Sequence, residues 1–107
     1  MGIVPMADSE SSNCAARQRV TIVNAKGLHA RASAALSKLA GEFDAKVVVH
    51  HREESANARS IMDLLMLVAS KGCEIEITAE GAEANEAVTA IASLVANGFG
   101  EGDSATG

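Results

Sequence analysis

The sequence predicts a two-layer α+β domain: a four-stranded, mainly antiparallel sheet with three helices over one face, in the order β-α-β-β-α-β-α. Three observations lead there. Apolar residues make up 48% of the 107, enough for the packed core of one domain. The strand-like stretches alternate, apolar then polar, which describes a sheet with one wet side. Three other stretches repeat apolar residues at helical spacing and would cover the dry side.

Each element follows from its residues. "RVTIV" is β-rich, with Val20 and Ile22 on one face. "NAKG" breaks it. "HARASAALSKLAGEF" carries Ala32, Ala35, Leu36, Leu39 and Phe43 on one stripe, an amphipathic helix that Gly41 weakens at its end. "AKVVVHHR" is a second strand, and a short third one lies inside "EESANARS". "SIMDLLMLVAS" opens on Ser60, a natural N-cap, places Ile61, Leu64, Leu65 and Val68 on one stripe, and is ended by "KG". "CEIEITA" alternates, with Cys73, Ile75 and Ile77 inward. The last helix, "AEANEAVTAIASLVANGF", turns Ala84, Ala87, Val88, Ile91, Leu94 and Val95 inward and stops at Gly98. Residues 1–18 read as a flexible polar arm, 19–99 as the folded domain and 100–107 as a flexible tail. Met6 offers a second start, which leaves open whether "MGIVP" is native.

Composition excludes several functions. With a net charge of -5 and 2% aromatic residues, the chain lacks the basic face and stacking platforms of a nucleic-acid binder. No apolar run approaches a bilayer span and no signal peptide is evident, so the expectation is a cytoplasmic protein. Cys14 and Cys73 stand far apart, outside any metal-ligand spacing, and are expected as free thiols. His50 and His51 point to opposite faces of a strand and do not chelate one ion; solvent-exposed or edge histidines are expected. Glu53, Glu54, Glu74 and Glu76 read as solvated. No Gly-rich nucleotide loop appears, and neither a metal nor a cofactor is expected.

The chemistry concentrates in "GLHARAS". Gly27 permits a sharp turn into the first helix. The backbone N–H groups of Ala30, Arg31 and Ala32 then lack partners one turn back, and the helix dipole adds positive character, which makes an anion site. Arg31 adds a guanidinium suited to phosphate, and His29 a nucleophilic imidazole. Together they describe a phosphoryl-accepting centre. Spacing alone leaves a second reading open and favours it: His29 only caps the helix and Arg31 is solvated.

Other segments carry a resemblance that changes this balance. "GLHARAS" resembles the phosphorylation site of the HPr family, the histidine-containing phosphocarriers of the bacterial phosphotransferase system. "ARSIMDLLML" resembles that family's regulatory serine segment at the usual distance downstream, and "EIEITAEGAEANEAVTAI" its last strand and helix. The resemblance implies an open-faced β-sandwich. It implies His29 as the residue phosphorylated on Nδ1, Arg31 as its phosphate-contacting neighbour, and Ser60 as the target of a serine kinase/phosphatase. Ile61, Met62 and, nearby, Met66 would form an apolar docking surface. It implies enzyme I as donor and a IIA-type protein as acceptor, with the chain a monomeric carrier of phosphoryl groups, not a stand-alone catalyst. Sugar uptake and a nitrogen-related regulatory branch both remain open. The family usually has Pro after the site arginine; Ala32 stands there instead, and a modest change in site rigidity is expected. The rival reading is a non-catalytic interaction module.

Overall fold

The computed structural model describes residues 15–100; the readings of Cys14, the start at Met6 and the tail beyond Gly100 lie outside them. Strand β1 (Ala16–Thr21) leads to helix α1 (Ala30–Ala40), then β2 (Lys46–His51) and β3 (Glu54–Asn57) joined at Arg52 and Glu53. Helix α2 (Ile61–Met66), strand β4 (Glu74–Glu80) and helix α3 (Ala84–Ala96) follow, closed by a short 3-10 turn at Gly98–Gly100. The order matches the sequence reading.

The sheet runs β1-β4-β2-β3, and every pairing is antiparallel. Ile77 pairs with Gln18 on one side and Val49 on the other, so β4 lies in the sheet's interior. The alternation of "EIEITAE" is realised there: Ile75, Ile77 and Ala79 are buried while Glu74 and Glu80 are exposed. Val47, Val49 and Ala56 extend the apolar face, and Leu36, Leu64, Ala87, Ile91 and Val95 close over it from the helices. Removing this apolar surface from water is the main stabilising term. On the open face, Arg17 and Arg19 both reach Glu76, at 3.8 and 3.9 Å.

Four expectations need correction. Strand β1 starts at Ala16, before the Arg19 boundary, because Ala16, Arg17 and Gln18 find ladder partners in Ala79, Thr78 and Ile77. Helix α2 ends at Met66, not at "KG": Val68 adopts φ +51°, which stops helical propagation. Its stripe shifts accordingly. Leu64 and Leu67 are buried, whereas Ile61 and Val68 face solvent. Finally, His51 is neither exposed nor on an edge. It is buried, with Nδ1 bonded to the Leu67 carbonyl at 3.1 Å, while half-buried His50 bonds Thr78 Oγ1 through Nε2 at 3.0 Å.

Candidate functional site

The segment between β1 and α1 is built to deliver His29 to a helix start. The ladder finishes with Ile22 N–H donating to the Cys73 carbonyl at 2.9 Å. The chain then turns at Asn24–Gly27, where Gly27 N–H donates to the Asn24 carbonyl at 3.2 Å. Asn24 is fully buried, and its Nδ2 donates back to the Gly27 carbonyl at 2.9 Å. Gly27 sits at φ +63°, and a Cβ there would lie 2.5 Å from the Ala69 carbonyl oxygen and 2.6 Å from Ser70 Cα. Only glycine permits that approach. Leu28 follows, its side chain in the core and its N–H donating to the Ala69 carbonyl at 2.9 Å.

His29 occupies the N-cap position of α1 with an extended backbone, φ -79° and ψ -178°. Its carbonyl accepts from Ser33 N–H at 2.8 Å, while its side chain makes no capping hydrogen bond. The imidazole is half-exposed. Ala30, Arg31 and Ala32 form the first turn, whose N–H groups have no helical carbonyl behind them. Arg31 and Ala30 are exposed, and the Ala32 methyl is fully buried. No acidic residue stands in this first turn, so no carboxylate of the turn repels an incoming anion, and Lys38 complements the opposite end of the dipole.

Ser60 caps α2: its Oγ accepts from Asp63 N–H at 3.2 Å, as the sequence predicts. The apolar side chains that follow are unusually exposed, Ile61 at 40%, Met62 at 68% and Met66 at 72%. Val68, which the helical period places inward, adds to this surface. Between α2 and β4, residues 67–73 hold both regions together, accepting from Leu28 at Ala69 and from His51 at Leu67. Cys73 closes this segment. Its thiol lies 3.7 Å from Ser70 Oγ and is held below the usual thiol range, chiefly by the Ser70 backbone and hydroxyl hydrogen bonds and less by nearby His51, against an opposing effect of burial.

Pattern reading misses two residues here. Asn24 falls within the break after β1, although an Asx residue opening a turn signals a local side-chain clamp. Ser33 passes as an ordinary polar helix residue, yet it is fully buried with Oγ donating to the Leu28 carbonyl at 3.2 Å. Among the described residues, no group of three or more His, Cys, Asp and Glu side chains is arranged to hold a metal ion, and no helix is long and apolar enough to cross a membrane.

Comparison with known proteins agrees with this geometry. Residues 16–97 match a family model described as the PTS HPr component phosphorylation site. The phosphocarrier protein HPr of Cupriavidus necator is 43% identical over 83 residues, 78% of this chain and 93% of the relative. The phosphocarrier protein NPr of Escherichia coli K12 is 41% identical over 86 residues, 79% of this chain and 96% of the relative. Among solved structures, HPr-C-His from Thermoanaerobacter tengcongensis superposes with a TM-score of 0.77 at 34% identity, covering 80% of this chain and 97% of that one. A match spanning the whole sheet and all three helices, and including the His29 turn, shows that the chain belongs to the HPr family of phosphotransferase-system phosphocarriers.

Proposed function

We propose that His29 accepts a phosphoryl group from phosphorylated enzyme I and passes it to a IIA-type protein. One observation carries this reading. The half-exposed imidazole stands at the N-terminus of α1 without serving as its cap, where helix amides and Arg31 favour an anion. In the forward step the Nδ1 lone pair attacks phosphorus. The new N–P bond forms as the N–P bond to the donor histidine breaks, and that bonding pair returns to the donor ring. The reverse geometry delivers the group to the acceptor. Compensation by one guanidinium and backbone amides holds the group while leaving it transferable.

Both partners would dock on the exposed apolar surface of Ile61, Met62 and Met66. Such relay contacts are small and transient. Ser60 stands at the edge of that surface, and its phosphorylation by a serine kinase would put a dianion among these side chains and weaken docking. Asp63, in the same turn, would repel the new charge and limit any gain from the helix end. The carrier would act as a monomer in the cytoplasm. The HPr and NPr relatives are of comparable similarity, which favours neither the sugar-transport nor the nitrogen-related branch. The non-catalytic rival needs His29 as a helix cap, and its side chain makes no such bond.

Incubation with enzyme I and labelled phosphoenolpyruvate tests the reading. Wild type should take an acid-labile label and His29→Ala none. An unlabelled wild type, or equal labelling of the variant, would overturn it. A serine kinase with ATP should place an acid-stable label on wild type and leave Ser60→Ala unlabelled.

A further inference from the structure

We propose that Asn24 and Ser33 are positioning residues for phosphoryl acceptance at His29, acting as a clamp on the backbone carbonyls that precede α1. Three successive carbonyls are each taken by a donor. Asn24 Nδ2 holds that of Gly27 at 2.9 Å, Ser33 Oγ that of Leu28 at 3.2 Å, and Ser33 N–H that of His29 at 2.8 Å. Both clamping side chains are fully buried, an expensive place for an amide and a hydroxyl unless they are hydrogen-bonded.

The arrangement has an electrostatic consequence at the surface. A peptide presents a partial negative charge at its carbonyl and a partial positive one at its N–H. Where the chain enters a helix, both kinds of group lie near the N-cap side chain. With the carbonyls of residues 27–29 directed to internal donors, the exposed backbone left at the helix start is that of Ala30 and Arg31, whose N–H groups have no helical partner. A dianionic phosphoryl group on His29 then meets donors and not acceptors. If a clamp residue is lost, a carbonyl is released to rotate toward the phosphoryl position, and the backbone that sets the direction of the imidazole loosens. Docking would be spared, since the apolar surface of Met62 and Met66 belongs to α2.

This inference rests on His29 being the acceptor, and the test separates the two. Asn24→Asp keeps the shape of the side chain and removes its N–H donor; Ser33→Ala removes one hydroxyl with little change in packing. With phosphorylated enzyme I as donor, kcat should fall about tenfold in Asn24→Asp and by a smaller factor in Ser33→Ala, while KM stays within roughly twofold, because misplacement of the acceptor and not binding is affected. A KM that rises with kcat unchanged, or a kcat within twofold of wild type in both folded variants, overturns the clamp. If Asn24→Asp does not fold by circular dichroism, Ser33→Ala alone decides by the same criterion. A partner-free arm uses phosphoramidate to phosphorylate His29 chemically and follows loss of the phosphoryl group. A severalfold shorter half-life in the variants supports the clamp and an unchanged one overturns it. If enzyme I never labels wild type, the relay reading fails, and the phosphoramidate arm still judges the clamp.

Discussion

Replacing Gly27 by alanine should cost about 3 kcal/mol of stability. The added methyl meets two separate objections. At φ +63° an L side chain is strained, for about 1 kcal/mol or more. The same Cβ would stand 2.5 Å from the Ala69 carbonyl oxygen and 2.6 Å from Ser70 Cα, both backbone atoms that no rotamer change can move. The turn must therefore retreat from residues 69–70 by about 1 Å, an overpacking penalty of roughly 1–3 kcal/mol. Retreat also breaks the 2.9 Å bond from Leu28 N–H to Ala69, another ~1 kcal/mol, and lifts buried Leu28 from the core. Against this stands about 0.5 kcal/mol gained because alanine restricts the unfolded chain. The balance corresponds to a fall in melting temperature of roughly 12 °C or more for a domain of this size. With no Trp or Tyr in the chain, urea unfolding is best followed by far-ultraviolet circular dichroism. The substitution Gly27→Asn isolates the second objection, since asparagine tolerates positive φ but carries a Cβ. A loss below about 1 kcal/mol for Gly27→Ala, or a Gly27→Asn variant as stable as wild type, would refute the close-approach argument.

Two further perturbations probe the segment that supports this turn. Val68 holds φ +51° with a β-branched, 78% exposed side chain, so Val68→Gly should stabilise the fold by about 1 kcal/mol once glycine's greater unfolded-state freedom is subtracted. The urea midpoint reads this, and a variant less stable than wild type would show that the strain is absent. Cys73, its pKa lowered by Ser70, should be alkylated by iodoacetamide at pH 7 faster than a free thiol of the ordinary pKa, with the rate rising toward higher pH as the thiolate forms. Ser70→Ala should slow the reaction at pH 7, and an unchanged rate there would remove the serine hydroxyl as a contributor.

What is legible in the sequence divides along the distance over which each feature is determined. The strands and α3 announce themselves because their burial pattern is a local period: Ile75, Ile77 and Ala79 alternate, and Ala84, Ala87, Val88, Ile91 and Val95 recur at helical spacing. The start of α1 is legible for the same reason, since Gly27, His29 and the first helical turn lie within a few residues of one another. The segment after α2 is not. Helical periodicity runs through Val68 in the sequence, and nothing in the residue type warns that this valine adopts a left-handed backbone. Its conformation is imposed from elsewhere: Ala69 must present its carbonyl to Leu28, and Leu67 must present its own to His51, sixteen positions earlier. Carrying α2 onward would have kept those carbonyls in helical bonds and denied both partners. The helix is therefore cut short to supply acceptors to the His29 turn on one side and the sheet on the other. The same non-local requirement explains why His51, which pattern alone places at the surface, is buried. It also places the strained residue beside the His29 turn it helps to hold, and that turn's own clamp, Asn24 and Ser33, hides in polar residues that pattern reading assigns to a loop and a helix face.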